Sequence, residues 1–198
     1  RFVPDDGSNE TWFMNYSAHP NTMGGANSKI SADYPYFMRE KINESKKVNV
    51  LFSVGAIAAA NIADLDEDRY ERTKKGGEML GEAALKIDND VELDSSISFI
   101  SQKYYAPIDN CILALMPILK VCTADKFPYP GCNVGIALRT EMTYMKIGSQ
   151  KILIFPGELF CELVYGGYAS AEDSATGLGP EINPEPLAEI CGDDSLMV

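Results

Sequence analysis

From Thr11 to Ala18 apolar and polar positions alternate in "TWFMNYSA", which predicts a half-buried strand that stops at His19-Pro20. Residues 19–29 are rich in Asn, Gly and Ser and read as a loop. Ser31 and Asp33 are candidate caps for a helix that Pro35 helps to open and that runs to about Glu44. A proline in the first turn forfeits no helical hydrogen bond, because the N–H groups there have no intrahelical partner. The apolar run Val48–Val54, ending at Gly55, predicts a central strand covered on both faces. Asp66–Ile87 keeps helical spacing at Tyr70, Met79, Leu80, Ala83, Ala84 and Ile87 and carries charges elsewhere, the pattern of an amphipathic helix lying on the sheet. Gly76-Gly77 inside it costs roughly 1 kcal/mol per glycine relative to alanine and predicts a bend or close packing.

Farther along, residues 95–107 alternate as a half-buried strand, and "DNCILALMPIL" reads as a helix with Pro117 near its end. "GIALRTEMTYMKIG" and "QKILIFPG" predict two strands joined as a hairpin at Gly148-Ser149. Helical residues follow from Leu159 to Val164, then a looser segment at 166–186, then a short helix opened by Asn183-Pro184. Strands and helices alternate except at the hairpin. The expected fold class is therefore α/β: a mixed β-sheet with helices packed on its faces, in a single domain without repeats or an internal linker. Val50, Phe52, Leu80, Ile152 and Ile154 are its expected core. The chain opens on Arg1-Phe2-Val3-Pro4 without a methionine. It closes on the apolar triplet Leu196-Met197-Val198 after the turn Gly192-Asp193-Asp194, so both ends are expected to be incomplete.

Composition narrows the function classes. With 198 residues, 45% of them apolar and 23% charged, the chain can bury an ordinary core. The 29 acids against 17 bases give a net charge of −12, the opposite of the basic footprint of a nucleic-acid binder. No nucleic-acid partner is expected, and no transmembrane segment, since no apolar run reaches the ~20 residues that cross a bilayer. The five cysteines, at 111, 122, 132, 161 and 191, are odd in number and form no CxxC pair. Four of them sit in apolar surroundings and read as small buried hydrophobes. Unpaired thiols and the lack of a signal peptide favour a cytosolic setting.

Three places carry candidate chemistry. His19 is the chain's single histidine and stands at a strand's C-terminal edge, where α/β sheets gather their ligands. A lone histidine there is more often a cap or a satisfied core group. Glu158 follows Pro156-Gly157 where a strand turns into a helix, so the helix dipole favours its ionised form. Its ordinary reading is a helix-start residue. "GAIAAANIAD" places small residues after the second strand, where backbone amides approach a ligand or elements simply pack closely.

Taken in series, "NYSAHPNTMGGANSKISADYPYFMREKI", "VLFSVGAIAAAN" and "MKIGSQKILIFPGELFCEL" resemble the neutral, non-lysosomal ceramidases over roughly residues 10–165. The matching features are a strand ending in a His-Pro turn, a Ser-Asp-Tyr-Pro helix start, a strand with a glycine turn, and a hairpin with a Pro-Gly-Glu elbow. The resemblance makes residues 1–198 part of a ceramidase-like catalytic domain. It implies a Zn²⁺ held by two histidines, a glutamate and a tyrosine, which activates water to cleave an amide (N-acyl) or related bond in a small-molecule or lipid substrate. Residue by residue, His19 and Glu158 fall on two of the metal ligands, and Glu158 would also serve catalysis. The other histidine lies upstream of Arg1 and the tyrosine beyond Val198, so residues 1–198 alone are expected to be inactive. Asn15, Asn21, Thr22 and Asn27 are candidates for the substrate pocket. Two departures mark the chain. The turn after Gly55 reads Ala-Ile-Ala-Ala-Ala-Asn where relatives are polar, and the serine-bearing loop of ceramidases has no counterpart here. The altered turn favours the alternative, a non-catalytic binding domain of the same fold that has lost its metal, while the missing loop bears on the substrate and leaves a soluble one as expected as a sphingolipid. A purely structural module would instead bury His19 far from Glu158.

Overall fold

A computed structural model describes the chain except for residues 59, 63–64, 66–67, 117–118, 122–125, 131–133, 167–184 and 193–195. Expectations about Asp66, Pro117, Cys122, Cys132, Asn183, Pro184, Asp193, Asp194 and most of segment 166–186 thus fall outside the described residues. The α/β class is observed, with both directions of strand pairing, in two compact units: residues 1–92 with 158–198, and residues 93–157.

The first unit is built on a parallel pair, β1 (Thr11–Tyr16) and β2 (Asn49–Val54), in register from Thr11 opposite Asn49 to Tyr16 opposite Val54. Strand alternation puts Trp12 and Met14 beside Val50 and Phe52 on one face. Helices α1 (Tyr34–Ser45) and α2 (Arg69–Leu85) cover that face. Buried Met38, Ile42 and Ala84 form the centre of the core, with Trp12, Met14, Val48, Val50, Phe52, Leu80 and Leu85 packed on it. The other face is open at Phe13 and at Leu51, which is 54% exposed. The expectation of a strand covered on both faces is corrected here: the layers built from the described residues bury one face only.

The glycines of α2 explain a second correction. Its buried residues are Thr73, Gly76, Gly77, Gly81 and Ala84, whereas Tyr70, Met79 and Ile87, expected in the apolar stripe, are exposed. A Cβ on Gly77 would overlap the Tyr34 carbonyl oxygen, and one on Gly81 would lie 2.8 Å from Lys41 Cβ. The two helices approach so closely that small residues, not large apolar ones, mark the contact. Close packing is the reason for the glycines. Asp68 caps α2, accepting from the Tyr70 and Glu71 amides at 2.9 and 3.1 Å.

The second unit is an antiparallel sheet in the order β3-β5-β4, with β6 also paired to β5. Its strands are β3 (Ile97–Pro107), β4 (Lys126–Pro128), β5 (Ile136–Ile147) and β6 (Gln150–Ile154), with the short helix α3 (Cys111–Leu115) after β3. β5 and β6 form the expected hairpin, with Gly148 at φ 57°, the positive value a type II′ turn requires at its first central residue. β3 is not half-buried: both of its faces are exposed from Ile97 to Lys103. Alternation in sequence is the same whether or not a layer comes to cover it. The expected core is likewise divided. Val50, Phe52 and Leu80 join the cluster above, while Ile152 and Ile154 lie on β6, Ile152 buried and Ile154 exposed. None of the three described cysteines is buried either: Cys111 is exposed, and Cys161 and Cys191 are partly exposed.

Candidate functional site

Main-chain hydrogen bonds at the C-terminal ends of β1 and β2 bring two distant segments together. The Tyr16 carbonyl accepts from both the Ala18 and Gly55 amides, at 3.1 Å each, and so joins the two strand ends. Beyond Gly55 the chain enters Ala56–Ala58, all buried. The His19 amide donates to the Ala60 carbonyl at 2.9 Å, and the Ala58 amide donates to the Leu159 carbonyl at 2.9 Å. Ala58 also pairs in parallel with Phe160, and the Cys161 thiol donates to the Ala56 carbonyl at 2.9 Å. One short apolar segment thus holds the His19 turn and the 158–161 segment. The contacts to 158–161 fall on Ala56 and Ala58, the small residues on either side of Ile57.

The outcome is that His19 Nε2 lies 3.5 Å from Glu158 Oε2, with His19 24% and Glu158 59% exposed. Neither a core histidine nor a histidine far from Glu158 is observed. The setting of Glu158 differs from the expected helix start. β6 ends at Ile154, and helix α4 (Cys161–Tyr165) begins only after the Phe160 cap, with Glu162 as the acid of its first turn. Glu158 is therefore held in the connecting segment, and a five-residue helix adds little dipole to its environment.

The other candidates divide. Asn21 and Asn27 line a polar pocket of about 310 Å³ together with Lys29, Ser31 and Asp33. The Asn27 side chain is also engaged with Lys29, donating to its carbonyl at 2.9 Å and accepting from its amide at 3.1 Å. Asn15 is committed to structure: its amide donates to Ser53 Oγ at 3.0 Å, the Val54 carbonyl at 3.3 Å and the Val198 carbonyl at 3.0 Å. Thr22 donates to Asp33 Oδ1 at 2.5 Å and lies 2.7 Å from Thr73 Oγ1. A hydroxyl has one proton, and Thr22 gives its own to the carboxylate while Thr73 donates to the Arg69 carbonyl at 2.6 Å, so the two hydroxyl oxygens sit side by side with no proton left for a bond between them.

Two residues beside the site were not singled out for it by the sequence. Asp33 is 4% exposed and adopts φ 57°, ψ −151°, a region that is essentially glycine-only and costs of order 1–3 kcal/mol. Its carboxylate offsets that cost by accepting from Thr22 Oγ1, the Tyr34 amide and the Met23 amide. Tyr34, fully buried, donates its hydroxyl to the Ala18 carbonyl at 2.8 Å, and burial pushes its pKa up. "SADYP" carried a cap signal that explains the Tyr34 amide bond but not the reach to residues 18, 22 and 23.

Zinc suits a donor set of imidazole and carboxylate, and two ligands at ~2.0–2.2 Å from one zinc lie within about 4 Å of each other. The spacing of His19 and Glu158 fits. Among the described residues, no group of three or more His, Cys, Asp or Glu side chains could hold a metal, so this pair is at most part of a ligand set.

No protein-family model matches the chain, and no curated protein sequence does. A solved structure does resemble it: the crystal structure of neutral ceramidase from Pseudomonas aeruginosa, with a TM-score of 0.61 at 12% identity. The likeness covers 98% of this chain and 37% of that one, and at such identity it shows the fold alone. Among the described residues no helix is long and apolar enough to cross a membrane.

Proposed function

We propose that this chain is part of a zinc-dependent hydrolase of the neutral ceramidase kind, cleaving an amide (N-acyl) or related bond in a small-molecule or lipid substrate. The observation that carries the reading is the 3.5 Å approach of His19 Nε2 to Glu158 Oε2 at the C-terminal edge of the parallel pair. The ceramidase-like fold supports it. His19 would hold the zinc through Nε2 and Glu158 through Oε2. A further histidine and a tyrosine, from chain outside residues 1–198, would complete the set. When bound, such a zinc acidifies a water to a pKa near ~7 and so supplies a nucleophile at neutral pH. The chain's own residues do the rest. His19 is fixed at its backbone by the bond to Ala60, and the more exposed Glu158 has room to turn and accept a proton from water.

The alternative, a relic that binds without metal, drew on the apolar turn after Gly55. That turn has an independent explanation, since Ala56–Ala58 pack beneath the two segments they join. Metal content decides between the readings. The intact protein, dialysed against trace zinc, is expected to retain one zinc per chain and to lose it on His19→Ala or Glu158→Ala. Residues 1–198 alone are expected to hold little. Zinc on neither protein would favour the relic, and stoichiometric zinc on residues 1–198 would show that the proposed ligand set is wrong.

A further inference from the structure

Asp33 and Tyr34 are consecutive, both are buried, and they reach the two sides of the turn that carries His19. Tyr34 Oη donates to the carbonyl of Ala18, the residue before the histidine. The Asp33 carboxylate takes the Thr22 hydroxyl on one oxygen and the Met23 amide on the other, just after it. Between these grips run only His19, Pro20 and Asn21, with the His19 amide itself bonded to Ala60. Proline at 20 fixes one more backbone angle. The grips are themselves anchored. The Tyr34 ring meets Tyr16 and Phe52 edge-on at 6.2 and 5.8 Å, and Thr73 on α2 backs Thr22. An aspartate held at a positive φ in a buried position is strain retained for what its side chain does, because glycine would hold that backbone freely but could not bind Thr22 and Met23.

We propose that Asp33 and Tyr34 form a clamp that positions His19, leaving its imidazole only side-chain rotation. The effect of the clamp on metal binding rests on the function proposed above; the clamp itself does not. The chain has one histidine, so its imidazole gives a single, unambiguous Cε1–Hε1 resonance in residues 1–198. The experiment records that resonance in wild type, Tyr34→Phe, Asp33→Gly and, as a control for general destabilisation, Asp68→Ala. Tyr34→Phe removes one oxygen, and Asp33→Gly removes the carboxylate while easing the backbone. Both are expected to shift the signal and broaden or split it, while Asp68→Ala leaves it in place. An unmoved signal in both clamp variants, or an equal change in the control, would overturn the clamp. Should Asp33→Gly fail to fold, Tyr34→Phe decides alone. In the intact protein the two variants are expected to weaken zinc about 10-fold or more, the scale seen when groups that orient a ligand are lost. A wild type that binds no zinc would refute the proposed function and leave the resonance test to judge the clamp.

Discussion

Alanine at Gly77 is expected to destabilise the first unit, against the usual effect of that substitution. In a helix interior, glycine to alanine gains about 1 kcal/mol. Gly76 and Gly77 share a helix and both are buried, so that gain is common to them. Their surroundings differ. A Cβ at Gly76 would meet only Ile62 Cδ1 at 3.1 Å and Cγ2 at 3.2 Å, the outer atoms of a side chain that can shift by a few tenths of an ångström. A Cβ at Gly77 would overlap the Tyr34 carbonyl oxygen and lie 2.7 Å from Phe37 Cβ and 3.0 Å from Met38 N. Those atoms belong to the framework of α1, and no rotamer change removes them. Overpacking of this kind costs about 1–3 kcal/mol, and contact with rigid backbone puts the cost at the upper end. After the propensity gain, Gly77→Ala should lose about 2 kcal/mol while Gly76→Ala stays level or gains slightly. Urea unfolding followed by Trp12 fluorescence reads this directly, because the chain's one tryptophan packs on the core beneath these helices. With a urea slope of ~1–3 kcal/mol per molar, the Gly77→Ala midpoint should fall by roughly 1 M. A midpoint that rises in both variants would refute the close helix contact.

Three further outcomes test other parts of the structure. Asp68→Ala removes the acceptor for two amides at the start of α2 and should cost about 1 kcal/mol in the same unfolding assay; no change would mean that the cap does not form. Hydrogen bonds from the Ser96 side chain and amide hold the Asp94 carboxyl below its ordinary 3.8, so its stabilising effect is present above that value and fades as pH falls through the lower folded value. Ser96→Ala should raise the Asp94 midpoint in an NMR carboxyl titration, and an unmoved midpoint would contradict the assignment. Burial first, then the neighbouring Glu162 charge, pushes the Cys161 thiol up, so iodoacetamide should label exposed Cys111 well before Cys161 in peptide mapping. The reverse order would show that Cys161 is not held as described.

Where one residue's spacing decided an element, the sequence was readable. Alternation placed β1, the apolar run before Gly55 placed β2, and Gly148-Ser149 placed the hairpin within a residue or two. Asp33 was legible as a cap because capping is local. The buried face of α2 was not, because hydrophobic spacing finds a stripe of large side chains and a contact made by Gly77 and Gly81 has none. Exposure along β3 was illegible for a different reason: whether another layer covers a strand is not written in the strand. As for the site, periodicity contains no term that joins residue 19 to residue 158. The family resemblance suggested that pair, and the structure brings their side chains together.

The bonds that bring them together also explain how so little sequence likeness accompanies the shared fold. His19 is tied to Ala60, and Leu159 to Ala58, through amides and carbonyls that every residue except proline supplies in full. Side chains at the two contact positions have only to be small enough not to push the neighbouring chain away, and Ala56 and Ala58 meet that condition as well as polar residues of similar size would. An apolar turn therefore serves this frame as well as a polar one would. A fold at 12% identity to another can keep such a frame, because the selection it imposes is on backbone donors and on volume rather than on particular side chains. On the function and clamp proposed above, the specific demands would fall on few positions: the imidazole at 19, the carboxylate at 158, and the buried acid and hydroxyl at 33 and 34 that reach the histidine's turn from the start of α1.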